Sequence, residues 1–148
     1  MNTTHEYVIF KLEREFYGIG IHHVENIEKI IPITRVPYTK DYIKGVVNLR
    51  GNIIPIVDLR KRFFLEEKEF TDESRIIIIN LGEIKIGMIV DASSEVLQMD
   101  SAFIEDAPVI RGTNEQDYIK QVGKHDGRII MLIDLLKVLG FEESDLEH

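Results

Sequence analysis

The chain has 148 residues, of which 18 are Lys or Arg and 26 are Asp or Glu, so its net charge is −8, and it has no cysteine. The length fits about one domain, and the negative charge disfavours nucleic acid as a partner, because phosphate is bound by Lys and Arg. The lack of cysteine excludes disulfides, thiolate zinc sites and iron–sulfur clusters, and no apolar run approaches the roughly 20 residues that cross a bilayer.

Short apolar runs, rich in β-branched residues and bounded by Gly, Asp, Asn or charged residues, predict β-strands. They lie at residues 7–12, 53–57, 76–79, 84–90 and 129–133. Pro55 lacks the N–H that a sheet ladder uses, so its strand is predicted to be an edge strand or locally irregular.

Helical signals are few. Single turns are predicted near residues 22–25 and 41–42, and a short helix is predicted to begin at Asp58. The leucine spacing after residue 131 predicts a C-terminal helix near 134–140, with Asp134 as its N-cap and Gly140 at its end. Many short strands with few helices favour an all-β barrel or sandwich.

The sequence contains an internal repeat. Residues 51–61 (GNIIPIVDLRK) match residues 127–137 (GRIIMLIDLLK) at a shift of 76, and residues 8–12 match 77–81 more weakly at a shift of 69. Two segments that recur in the same order indicate duplication of a small β unit, with chance recurrence of capped strands as the alternative. The difference between the shifts implies a short insertion in the second half, which we place in the polar stretch 111–117.

No motif supplies a catalytic or cofactor-binding arrangement, since the sequence has neither a P-loop nor a nucleophile elbow. Asp58 and Asp134 precede Leu-rich helix starts, where capping explains them better than acid–base catalysis. Adjacent His22 and His23 are predicted to point in different directions and to be exposed or half-packed. We therefore predict no enzymatic activity, no metal and no cofactor.

One single arginine and one cluster of three cationic residues are candidates for contact with a partner. Arg50 lies in a turn-like segment between two apolar strands, where its planar guanidinium can meet a carboxylate. A solvated turn residue is the alternative, and the residues alone slightly favour it. The Arg-Lys-Arg cluster at 60–62 is interpreted as a solvated face, with electrostatic steering of a partner as the alternative.

Residues 43–60 (IKGVVNLRGNIIPIVDLR) resemble the signature of the CheW family of bacterial chemotaxis coupling proteins. Residues 16–27, 87–97 and 126–136 resemble further segments of that family in the same order, so the resemblance covers roughly residues 6 to 140. It implies a mainly-β fold of two SH3-like five-stranded β-barrels with short helices, and family barrels can exchange segments. We expect a single domain over 6–145 built of two related halves, about 6–70 and 72–140, with residues 146–148 as a tag remnant.

The resemblance also implies a function. Members of the family are non-enzymatic adaptors that join the cytoplasmic tip of methyl-accepting chemotaxis receptors to the regulatory domain of the histidine kinase CheA. The expected location is the cytoplasm, at membrane-bound receptor arrays, without direct membrane insertion and without nucleic acid. At this length we expect a stand-alone protein rather than the kinase or the CheV type, with an excised module as the alternative. A small-molecule-binding or sensory β-barrel is the alternative function.

Five residues match positions that the family uses. Arg50 matches a functionally important Arg, which changes its interpretation from a solvated turn to an interface contact. Val24, Asn26 and Ile27 match a segment at the receptor-facing or kinase-facing surface, although some members have an acid in place of Asn26. Gly45 matches a Gly before the signature strand, and backbone geometry is its plainer explanation.

Overall fold

The computed structural model describes residues 4–37, 39–107 and 118–140, which form two β-sheets with short helices. The predicted insertion at 111–117 and the tag remnant at 146–148 lie outside the described residues. The strands are β1 (Thr4–Leu12), β2 (Glu15–Gly20), β3 (Val24–Lys29), β4 (Ile43–Leu49), β5 (Asn52–Asp58), β6 (Arg75–Leu81), β7 (Ile84–Val90), β8 (Ala92–Asp100), β9 (Ile104–Asp106), β10 (Ile119–His125) and β11 (Arg128–Ile133). The helices are α1 (Leu59–Arg62) and α2 (Leu135–Val138), and 3-10 turns occupy Ile21–His23 and Ser101–Phe103.

The first sheet has six strands in the order β8-β1-β2-β11-β10-β9, and the second has five in the order β3-β6-β7-β5-β4. The first two strands of the chain therefore join strands that follow residue 91, while β3 to β7 form the other sheet. This arrangement confirms the predicted mainly-β fold of two sheets with few short helices, including one near the C-terminus. One sheet has six strands where five were expected, and among the described strands neither order closes into a ring.

The repeat is visible in the strand pairing. Val8 of β1 lies opposite Ile19 of β2. The residues 69 positions later, Ile77 of β6 and Met88 of β7, also lie opposite each other. The parallel pairing repeats as well. β5 pairs with β7, and the equivalent strands in the other sheet, β11 and β2, also pair in parallel. Even a loop contact recurs at a shift of 76. Asp58 donates its N–H to the Tyr42 carbonyl at 2.8 Å, and the N–H of Asp134 meets the Tyr118 carbonyl at 2.8 Å.

Glycine is required where the parallel strands meet. Gly87 lies opposite Ile56, and a Cβ on this glycine would be 2.5 Å from the Ile56 Cδ1 atom. The equivalent Gly18 lies opposite Leu132, and its Cβ would be 3.0 Å from the Leu132 Cδ2 atom. Each glycine leaves room for the side chain of the neighbouring parallel strand, which explains why glycine occurs at both equivalent positions.

The four consecutive isoleucines of β6 serve two cores. Ile77 and Ile79 are buried in a large apolar cluster that takes residues from both sheets, whereas Ile76 and Ile78 are buried in a cluster made by the second sheet. Successive side chains of a strand point to opposite faces, so an uninterrupted apolar run fits a strand that is buried on both sides. The interpretation of these residues as core is confirmed.

Of the two alternatives predicted for the Pro55 strand, the edge strand is wrong, because β5 lies between β7 and β4. The local irregularity is present, because the register with β4 shifts between Ile43 and Gly45, opposite Val57 and Ile56. Pro55 is opposite Val46, whose N–H and carbonyl both bond to Thr34 at 2.8 Å. Val46 therefore directs its hydrogen-bonding groups away from β5, and the parallel pairing with β7 starts only at Ile56. The N–H that proline lacks is thus at a position where neither neighbouring strand would accept a hydrogen bond from it.

Candidate partner-binding surface

The β4–β5 hairpin turn presents Arg50 to solvent. Arg50 and Gly51 both have positive φ, 53° and 86°, which is the backbone of a tight two-residue hairpin turn. The Asn48 Oδ1 atom accepts the Gly51 N–H at 3.2 Å and closes the turn. The Arg50 side chain is 74% exposed, so its guanidinium is available to a partner.

Glu28 links Arg50 to one of the other predicted site residues. The Glu28 Oε1 atom lies 3.5 Å from an Arg50 guanidinium nitrogen, and it accepts a hydrogen bond from Asn26 Nδ2 at 2.5 Å. Only 24% of the Glu28 side chain is exposed. Since β3 and β4 are opposite edges of the second sheet, the contact also means that the sheet curls until its edge strand meets the β4–β5 turn.

Sequence reasoning missed Glu28. The strand periodicity could have identified it, because residues two apart in a strand share a face, which places Glu28 beside Asn26. Its pairing with Arg50 depends on the curl of the sheet, which no local pattern encodes.

Ile27 and Val24 do not join this cluster. Ile27 follows Asn26 along β3 and is 41% exposed, while the alternation of strand side chains places it on the face opposite Asn26 and Glu28. Val24 is half-buried and packs against the large apolar cluster. The structure therefore brings Arg50 and Asn26 together and leaves Ile27 and Val24 apart from them.

Gly45 has a backbone role. Its φ is 153°, and a Cβ there would fall 2.2 Å from the carbonyl oxygen of Thr34. The same stretch of β4 carries the register shift between Ile43 and Gly45 and the paired hydrogen bonds between Val46 and Thr34. A side chain at position 45 would force the 34–46 bridge apart, which agrees with the backbone explanation.

Exposed isoleucines occupy equivalent positions in the two repeat copies. Ile53 is 65% exposed and Ile129, 76 residues later, is 61% exposed. Ile53 pairs with Asn48 at the base of the Arg50 turn, so an exposed apolar residue lies on the same hairpin as Arg50.

The turn equivalent to Arg50 has the opposite charge. Asp126 and Gly127 repeat the positive φ values, at 49° and 77°, and the Asp126 side chain is 85% exposed. The two hairpin turns therefore share a backbone shape and differ in charge. A partner surface that is complementary to the positive Arg50 turn would therefore not be complementary to the negative Asp126 turn.

The interpretation of the 60–62 cluster as a solvated face is wrong for Arg60. Its buried guanidinium bonds to Asp91 Oδ2 at 2.6 Å, to the Glu66 carbonyl at 2.8 Å and to the Glu13 carboxylate. Asp91 Oδ2 also accepts the Glu13 N–H at 2.8 Å. The hydrogen bond from Arg60 lowers the pKa of the Glu13 carboxyl below its ordinary value. Arg60 thus joins the β1–β2 turn to the end of β7.

The two aspartates considered for catalysis cap helices, as predicted. Asp58 Oδ1 accepts the Arg60 N–H at 3.0 Å, and Asp134 Oδ1 accepts the Lys137 N–H at 3.3 Å. In the described parts of the chain no three His, Asp or Glu side chains are grouped so that they could hold a metal ion. Both α-helices described have only four residues, and none of the described helices is long and apolar enough to span a membrane.

Two sheets with repeated strand pairing and a shared core define a mainly-β fold with an internal repeat. The chain belongs to the CheW family, since the family model for the CheW-like domain matches residues 6–143. It is 40% identical over 144 residues to the chemotaxis protein CheW of Bacillus subtilis, covering 97% of this chain and 92% of that one. It is 38% identical over 141 residues to the chemotaxis protein CheW of Klebsiella aerogenes, covering 95% and 85%.

A solved structure has the same architecture. The crystal structure of the scaffolding protein TtCheW from Thermoanaerobacter tengcongensis superposes with a TM-score of 0.81 at 38% sequence identity. The match covers 89% of this chain and 90% of that chain. The predicted mainly-β fold is therefore confirmed by a protein of known structure.

Proposed function

We propose that the chain is a non-enzymatic chemotaxis adaptor that couples methyl-accepting chemoreceptors to the histidine kinase CheA. Family membership supports this role, because relatives are named chemotaxis proteins and the solved relative is named a scaffolding protein. The observation that carries the proposal is the exposed Arg50 turn, held by Asn48 and contacted by Glu28. The whole of residues 6–145 serves as one domain in this role, located in the cytoplasm and recruited to receptor arrays.

Arg50 and its neighbours have the chemistry of a protein contact. The guanidinium is exposed, it can form two parallel hydrogen bonds to a carboxylate, and the exposed Ile53 adds apolar surface on the same hairpin. Arg is enriched among the residues that dominate binding energy at interfaces. Asn26 extends the proposed contact along β3, and Ile27 offers exposed apolar surface to a partner on the opposite face of that strand. Val24 and Gly45 support the surface from the core and the backbone.

Titration calorimetry against the regulatory domain of CheA and against a receptor-tip fragment tests the proposal. We expect the unmodified chain to bind both, and Arg50→Glu to weaken at least one of the two by about tenfold or more, the loss expected for a charge-assisted hydrogen bond. Asp126→Lys reverses the charge of the equivalent turn and is the matched control, which should retain the binding that Arg50→Glu loses. The proposal would be refuted if the unmodified chain bound neither the regulatory domain nor the receptor-tip fragment.

A further inference from the structure

A small cavity lies where the chain crosses from the first sheet to the second. Its volume is about 140 Å³, and the 3-10 turn between β2 and β3 forms one wall. The floor is apolar and is made by Ile19, Leu132, Ile133 and Leu135, whereas Tyr7, His22, His23 and Lys120 bring polar groups to the lining. This cavity is separate from the Arg50 turn.

The two imidazoles lie together, contrary to the expectation that they diverge. Their ring centroids are 3.9 Å apart with an interplanar angle of 43°. Gly20 makes this arrangement possible, because a Cβ there would be 2.6 Å from the Cε1 atom of His22. The tight 3-10 turn and the glycine before it thus place both rings at one cavity.

The lining is electropositive whenever an imidazole is protonated. The titratable groups on it are Tyr7 from β1, His22 and His23 from the turn, and Lys120 from β10. The described residues of β2, β11 and α2 that line it are uncharged, and no carboxylate is among the lining residues. Burial lowers the pKa of His23, and the positive charges of His22 and Lys120 lower it further.

We propose that this cavity binds a carboxylate carried on a short apolar stem. The cationic groups fit the carboxylate, since charge-assisted hydrogen bonds to an anion are the strong ones, and the apolar floor fits the stem. The cavity has the volume of roughly four or five waters, so it selects a small ligand. A free short-chain acid and the glutamate side chain of a peptide both have this chemistry.

The inference does not rest on the proposed adaptor function. It concerns the β2–β3 crossover, and it holds or fails whether or not Arg50 contacts a kinase or a receptor. Because Val24 directly follows His23, a bound carboxylate would also order the start of β3, the edge strand of the second sheet.

Titration with sodium butyrate, followed by NMR of the histidine ring resonances, tests the proposal. We expect saturable shifts at His22 and His23 and none at His125, which lies at the far end of β10. Butyramide, the uncharged isostere, should bind at least about tenfold more weakly because it lacks the charge. Inorganic phosphate at equal ionic strength should also bind more weakly because it has no stem.

Two variants test the residues. Lys120→Gln and His23→Gln should each weaken butyrate binding about tenfold, whereas Lys124→Gln and His125→Gln are matched controls on the same strand and should not. Lys120 is exposed, so its replacement tests the site without disturbing the core.

N-acetylglutamate methylamide represents a glutamate side chain within a peptide and tests the source of the ligand. Binding within threefold of butyrate supports a protein side chain as the natural ligand, and weaker binding supports a free acid.

Affinity for butyrate should rise as pH falls through the lowered pKa of His23, because the protonated imidazole pairs with the anion. Absence of saturable shifts at His22 and His23 would overturn the proposal. Equal binding of butyramide would do the same, as would equal binding of phosphate.

Discussion

The Nε atom of Arg62 donates to the carbonyl oxygen of Val138 at 2.6 Å, and the two residues occupy equivalent positions in the two repeat copies, 76 residues apart. A second guanidinium nitrogen donates to the Lys137 carbonyl at 2.9 Å. The same guanidinium lies 4.1 Å from the ring centroid of Tyr42 and 4.8 Å from that of Tyr118. Helix α1 of one copy therefore caps the C-terminal end of α2 of the other, between two equivalent tyrosines.

Arg62→Ala should lower the free energy of unfolding by about 2–3 kcal/mol. The substitution removes two hydrogen bonds from a charged donor at a helix C-terminus and two cation–π contacts. Urea unfolding, monitored by circular dichroism, measures the change. Lys61→Ala, at an exposed neighbouring position, should stay within about 0.5 kcal/mol, and equal losses in the two variants would show that the Arg62 contacts add no stability.

Gly45→Ala should destabilise the fold much more than Gly51→Ala, although both glycines have positive φ. A Cβ at position 45 meets the Thr34 carbonyl oxygen at 2.2 Å, whereas nothing lies within 4 Å of a Cβ at position 51. We expect a loss of at least about 3 kcal/mol at Gly45 and about 1–2 kcal/mol at Gly51, where only backbone strain acts. Thermal or urea unfolding compares the two, and similar losses would contradict the steric explanation.

Glu13 should contribute to the acid sensitivity of the protein. Its hydrogen bond with Arg60 lowers its folded-state pKa below the ordinary 4.5, so the unfolded chain binds more protons between the two values. The stabilisation is therefore present above about pH 4.5 and is lost as pH falls through the folded-state pKa. Unfolding free energies measured from pH 6 to pH 3 should fall less steeply for Glu13→Gln than for the unmodified chain. Glu15→Gln, a nearby exposed carboxylate, is the control, and an unchanged slope in Glu13→Gln would contradict the role of this pair.

Arg50→Ala should leave the free energy of unfolding within about 0.5 kcal/mol of the unmodified chain. The side chain is exposed and its contact with Glu28 is 3.5 Å long, and such surface pairs add little stability. Under the proposed function the same variant loses partner binding by about tenfold. Urea unfolding beside calorimetric titration separates the two effects, and a loss above about 2 kcal/mol would mean that Arg50 maintains the fold instead.

Much of the fold could be predicted because its information is local. The apolar runs marked β1, β5, β6, β7 and β11, and Asp58 and Asp134 marked both helix starts. The strands that sequence patterns did not mark, such as β8 and β10, are richer in polar residues and show no apolar run. β8 pairs with β1, a strand distant in the sequence, and no local pattern records that pairing.

The candidate site was predicted only in part for the same reason. Arg50 is a candidate because of the family signature, since its turn alone slightly favours a solvated residue, whereas the contact of Glu28 with Arg50 depends on the curl of a sheet. The prediction for Arg60 is wrong because a run of three cations is typical of a solvated surface. In the structure Arg60 is buried and pairs with the carboxylates of Asp91 and Glu13, which are 31 and 47 residues away. Long-range ion pairs of this kind require the fold before they can be recognised.

Kinase activity in a reconstituted mixture of receptor membranes, CheA and this protein tests the central proposal most directly, because it measures coupling and not contact alone. The adaptor role predicts receptor-dependent kinase activity that requires the chain, falls with Arg50→Glu and persists with Asp126→Lys. Kinase activity that is the same with and without the chain, while receptors and kinase are both active, would contradict it.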